Sequence, residues 1–108
     1  DCRKLTECKL KEYSGRFKAD MKAYKTERRD FEQDRSHDEI IFERGKCIDC
    51  GLCVQIAEKE SRSLGLAFSG RGFDVRVKVP FDRPLSEGMG PVYQKCVEAC
   101  PTGALAYK

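Results

Sequence analysis

Four of the seven cysteines in this sequence have a spacing that points to one chemistry. Cys47, Cys50 and Cys53 follow one another at C-x2-C-x2-C spacing, and Cys100 stands far downstream with Pro101 after it. Four thiolates converging on one point are the donor set of a [4Fe–4S] cubane. The short spacing lets three thiols turn inward from a single loop. Gly51 supplies the backbone freedom that such a loop needs, and successive N–H groups in it can face the cluster sulfurs. The fourth thiol comes from near the other end of the chain, so binding the cluster would also close the fold.

The bacterial ferredoxin run is C-x2-C-x2-C-x3-C-P, and its fourth cysteine ligates the other cluster of a two-cluster protein. Here the fourth position of the first run is Ala57. Counting back from Cys100, the second run would occupy positions 90, 93 and 96, which hold Gly90, Tyr93 and Cys96. A second cluster would therefore find only Cys96 among its four ligand positions. The expectation is one cubane, held by Cys47, Cys50, Cys53 and Cys100, and one vestigial site in which Cys96 is a buried thiol or, were Cys100 displaced, a substitute ligand. Disulfide and zinc readings fit less well. The cysteine count is odd, no signal peptide stands within these residues, and CxxCxxC spacing is too tight for mutual disulfides. Zinc favours two CxxC-like knuckles over a three-plus-one set.

The elements that must position these thiols follow from the 108-residue pattern. The length suits one small domain with an extension, and a cluster would staple a modest core. Residues 1–38 read as a polar, partly helical arm, and residues 39–108 as the domain. In the arm, Cys2, Leu5, Cys8, Leu10 and Tyr13 share one side of a short helix, with Thr6 as N-cap and Gly15 at its end. Tyr24 and Phe31 are its expected anchors. Ile40–Glu43 is expected to be a strand, Leu52 to about Arg62 a helix and Gly65–Ser69 a short strand. Phe73–Val79 alternates apolar and polar residues as a half-buried strand does. Pro80–Gly90 reads as a loop, Val92–Ala99 as a second helix and Ala104–Tyr107 as a closing strand. This is a duplicated β-α-β unit, and the fold class is α+β, ferredoxin-like, with an N-terminal arm.

Charge and hydropathy exclude other classes. Charged residues make up 36% of the chain, but the net charge is only +3 and the signs alternate. No basic stripe interleaves with stacking aromatics, so nucleic acid is not an expected partner. No apolar stretch reaches membrane-spanning length, so no direct membrane insertion is expected. A thiolate-rich site implies a reducing compartment, the cytoplasm or the cytoplasmic face of a membrane complex.

Three stretches carry a family resemblance: Lys46–Val54, Gly65–Asp74 with its Gly70-Arg71-Gly72 turn, and Cys100–Leu105. On these the chain resembles the iron–sulfur region of the large Fe–S subunit of NADH:quinone oxidoreductase (complex I). It is also similar to the related regions of [FeFe]-hydrogenases and NAD-dependent formate dehydrogenases. Ala57 in place of a cysteine resembles the complex I type, which keeps one cubane. That family also carries an upstream cluster in the pattern H-x3-C-x2-C-x5-C. The resemblance implies that Cys2 and Cys8, at x5 spacing, are the last two ligands of that motif, a partial second site whose other ligands would precede Asp1. On that reading the chain is a piece of a longer protein.

The remaining candidates have plainer readings. His37, the only histidine, suits a surface or capping position better than a ligand position. Lys46, Arg71 and Lys95 are solvated by default, although a cation near a cluster would raise its potential. No pair of side chains forms a catalytic constellation. The expected function is an electron-transfer module carrying one [4Fe–4S] cluster within a multi-subunit NADH-linked oxidoreductase. Its partners would be other redox subunits or domains. The alternative is a degenerate ferredoxin domain that serves as a docking platform without a redox cluster.

Overall fold

The computed structural model describes residues 3–4, 6–24 and 32–108. At its centre is β2 (Ile40–Glu43), in which all four residues are buried. A strand covered on both faces reads as a continuous apolar run, and Ile-Ile-Phe fits that rule. It lies between β1 (Gln33–Asp34) and β5 (Leu105–Tyr107) in a three-stranded antiparallel sheet. Phe42 stands opposite Asp34 on one side and Leu105 on the other, while Ile40 faces Tyr107. A second antiparallel sheet pairs β3 (Ala67–Ser69) with β4 (Arg76–Lys78).

Four α-helices accompany the sheets among the described residues: α1 (Lys9–Arg16), α2 (Leu52–Glu60), α3 (Leu85–Met89) and α4 (Tyr93–Ala99). Helices α2 and α4 pack on each other, and α4 packs on β5. Among the described residues, Ile40, Met89 and Cys96 are the largest fully buried side chains of the core cluster. The architecture is mixed α+β with antiparallel sheets. No helix among the described residues is long and apolar enough to cross a membrane.

Several local expectations give way to tertiary structure. The alternating strand begins three residues late, because Gly72–Asp74 forms a 3-10 turn and Phe73 is fully exposed; Val77 and Val79 keep the inward face. The proline-rich stretch after Val79 is not all loop. It contains α3, whose Leu85 and Met89 stand one turn apart and are both buried. Helix α1 starts at Lys9, with Cys8 rather than Thr6 at its N-cap, and runs through Gly15 to Arg16. Tyr24 is exposed and anchors nothing, while Phe31 lies outside the described residues. His37 is buried rather than on the surface. Its Nδ1 accepts the Glu39 N–H at 3.1 Å, a turn-capping role, and its ring lies 4.7 Å from that of Tyr93.

Candidate functional site

The cysteine loop begins where β2 ends. A single 3-10 turn over Arg44–Lys46 delivers Cys47, whose N–H donates to the Arg44 carbonyl at 3.0 Å. Asp49 and Gly51 then take left-handed backbone, φ +53° and +78°. Two such reversals within five residues fold the segment tightly enough to bring Cys47, Cys50 and Cys53 to one side. Gly51 is the N-cap of α2, and a Cβ there would come within 3.3 Å of the Phe68 ring. Glycine is therefore favoured both by the dihedral and by the neighbour.

Cys100 arrives from the other direction as the C-cap of α4, its N–H donating to the Cys96 and Val97 carbonyls at 3.1 and 3.3 Å. Cys47, Cys50, Cys53 and Cys100 all line one pocket, whose remaining wall is mainly apolar: Phe42, Ile48, Leu52, Val77, Ala104 and Leu105 with Pro101 and Thr102. Cys50 is exposed, and the other three are half-buried. The Asp49 N–H reaches Cys47 Sγ at 3.4 Å, and Thr102 Oγ1 lies 3.9 Å from Cys100 Sγ. Gly51, Leu52 and Cys53 place the positive end of α2 at the pocket wall, which favours negative charge there.

Two of the thiols resist ionising on their own. Burial pushes the Cys47 thiol up to about 11 and the Cys53 thiol up to about 12. For Cys53 the neighbouring sulfurs of Cys96, Cys47, Cys100 and Cys50 add to the effect. Thiols raised in this way become thiolates more readily when cations share the charge. The donor set, the apolar wall and the helix terminus together fit an iron–sulfur cluster. Among the described residues no three His, Cys, Asp or Glu side chains form a group that would hold a single metal ion.

Cys96 stands apart from the pocket. It is fully buried, its thiol faces the Cys53 carbonyl at 3.8 Å, and burial pushes it up to about 11. Ala57 is buried in the same core. Cys8 is a half-buried free thiol at the start of α1, and Cys2 lies outside the described residues. Behind the cysteine pocket is a second cavity of about 130 Å³, which shares Phe42, Cys53, Val77 and Leu105 with it.

One residue escaped the sequence reading. Glu43, at the end of an apolar strand, is buried, and its carboxylate accepts hydrogen bonds from Lys46, Gln33 and Arg3. Burial pushes this carboxyl up. The hydrogen bonds from Lys46 and Gln33 and the charges of Arg3 and Lys46 outweigh burial and hold it below its ordinary value. A glutamate closing an Ile-Ile-Phe run with a lysine three residues on was the available signal.

A small α+β protein with a four-cysteine pocket between the end of one strand and the end of one helix is the class defined so far. No family model matches the sequence. The chain is similar, at 25% identity and a TM-score of 0.77, to a chain in the crystal structure of an NAD+-reducing [NiFe]-hydrogenase in its H2-reduced state. The similarity covers 99% of this chain and 46% of that one, so this chain spans somewhat less than half the length of its match. It relates the chain structurally to an NAD-linked oxidoreductase.

Proposed function

We propose that this chain is an electron-transfer module in which Cys47, Cys50, Cys53 and Cys100 hold one [4Fe–4S] cluster. The observation that carries this reading is the convergence of those four thiols, three from one loop and one from a distant helix end, on a single pocket. When bound, the cluster supplies one-electron redox chemistry. The four thiols hold it. Phe42, Val77, Ala104 and Leu105 keep water from its inner side, and the start of α2 contributes favourable potential.

Residues 39–108 are the ferredoxin-like part. The succession β2-α2-β3 and β4-α4-β5, with β2 paired to β5 and β3 to β4, is what a duplicated β-α-β unit closed on itself would give. In this reading the parent enzyme is multi-subunit and NADH-linked, with other redox subunits or domains as partners, and the likeness to a chain of an NAD+-reducing hydrogenase supports its NAD-linked character. In the same reading Cys2 and Cys8 are the end of an upstream cluster motif.

Anaerobic iron and acid-labile sulfide analysis, with EPR of the dithionite-reduced protein, tests the proposal. About four irons per chain are expected, as one cubane requires. They are lost in Cys50→Ala and kept in Cys8→Ala. A folded chain that takes up no iron under reconstitution would overturn the reading and leave the docking-platform alternative in its place.

A further inference from the structure

The turn that follows Cys100 is held from outside by two residues. Arg3 donates its backbone N–H to the Thr102 carbonyl at 2.9 Å and its Nη1 to the Gly103 carbonyl at 2.9 Å. The Glu43 N–H donates to the Ala104 carbonyl at 2.8 Å. Three successive carbonyls, at positions 102, 103 and 104, are thus fixed by two residues. Those two are themselves joined, Arg3 Nη2 donating to Glu43 Oε1 at 2.5 Å. The fit is close as well as polar. Gly103 has φ +66°, and a Cβ on it would come within 2.8 Å of Arg3 Cβ.

The same carboxylate reaches the other half of the cysteine site. Its Oε2 accepts from Lys46, the residue before Cys47, and its Oε1 also accepts from Gln33 of β1. The Glu43 side chain is 6% exposed and that of Lys46 12%, so the contacts form away from bulk water, where a paired charge is held firmly and an unpaired one is costly. Glu43 lies in neither the cysteine loop nor the turn after Cys100, yet it is bonded to both.

We propose that the Arg3–Glu43 pair is a clamp that sets the position of Cys100 relative to the Cys47–Cys53 loop. Both are positioning residues, acting through the main chain of residues 102–104 and through Lys46. The clamp rests on the reading of the four cysteines as one site, but its geometry concerns the thiols whether or not they hold iron. It also gives the N-terminal segment a role of its own: Arg3 ties it to the ligand turn, and the adjacent Lys4 adds a contact from its Nζ to the Glu98 carbonyl of α4 at 3.1 Å.

The test is site-resolved alkylation of the metal-free protein at fixed pH, read by mass spectrometry for wild type, Arg3→Ala and Glu43→Gln. Cys50 serves as the exposed reference and Cys96 as the core reference. Cys100 and Cys47 are expected to react several-fold faster in both variants while Cys96 stays protected. Arg3→Lys, which keeps the cation but not the two-pronged hold, should recover part of the protection. Unchanged rates at Cys100 and Cys47 in both variants would overturn the clamp. So would a rise at Cys96 in step with Cys100, because that reports general loosening. Arg3 sits at the edge of the fold, so its variant remains informative if Glu43→Gln does not fold. Iron content, measured on the same variants after reconstitution, separates the two readings. A wild type that never takes up iron but shows Cys100 released in Arg3→Ala retains the clamp and loses the cluster.

Discussion

At one end of the α2–α4 pair, Cys47, Cys50, Cys53 and Cys100 stand around a pocket; further along the same two helices, the space is filled. Ala57 and Cys96 are in the core, with Met89 and Val92 beside them, and Tyr93 turns outward to donate its hydroxyl to Glu39 at 2.6 Å. Both ends join a strand or turn to a helix through a short connection. The difference is in what the side chains leave behind. Small and apolar residues close the second end by packing, whereas three half-buried thiols and the exposed Cys50 leave the first end open. The filled positions thus belong to the hydrophobic core, and the cysteine pocket rests on a scaffold that is packed at its other end.

The largest test of this contrast is to empty the filled end. Met89→Ala removes a fully buried side chain and should cost about 2–5 kcal/mol in urea unfolding of the metal-free protein. Leu52→Ala, on the partly exposed rim of the cysteine pocket, should change it by only about 0.5 kcal/mol. Equal losses would abolish the distinction between a packed end and an open one.

Alkaline pH should weaken the metal-free fold through both ends. Cys47, Cys53 and Cys96 are raised from 9.0 to about 11, 12 and 11. The folded state therefore holds protons that the unfolded state releases. Stability from these thiols is complete below pH 9.0 and is lost as pH rises through 11 to 12. The limiting slope is about 1.4 kcal/mol per pH unit for each thiol. Cys96→Ala should remove one share of that slope in denaturant titrations at successive pH values. An unchanged slope would show that Cys96 is not the protected proton.

Gly51→Ala addresses the cysteine end alone. A side chain at φ +78° costs about 1–2 kcal/mol, and here it also meets Phe68, so unfolding should shift by at least that amount. Gly15→Ala, inside α1 with open space around it, should instead be neutral or stabilising, by up to about 1 kcal/mol. The smallest effect is an order of reactivity. In metal-free protein at pH 8, a thiol reagent should reach exposed Cys50 first, then Cys47 and Cys53, and buried Cys96 last. Early loss of Cys96 would mean that the filled end opens as readily as the pocket.

The grouping of the four cysteines around one pocket was legible because their spacing and the local structure coincide. Three cysteines two apart with a glycine among them imply a loop, and an Ile-Ile-Phe run before it implies a buried strand. The misses lie where one residue's place depends on a distant one. Leu85 and Met89 carry a helical interval, but the prolines and glycines around them masked it. Phe73 continues an apolar alternation that the turn at Gly72–Asp74 interrupts. His37 is buried because Tyr93, far along the chain, covers its ring.

The sequence by itself determined that three cysteines stand two residues apart in one loop, that positions 57, 90 and 93 hold no thiol, and that strands and helices alternate around them. These are properties of spacing and residue type, which act over a few residues. Only the tertiary structure decided that Glu43 is a buried carboxylate shared by Arg3, Gln33 and Lys46, and that β1 from the polar arm completes the sheet of β2. A charged residue looks solvated in sequence. It is burial, and a partner as far as forty residues away, that make it structural, because a desolvated charge is tolerated only where the fold brings opposite charges to it.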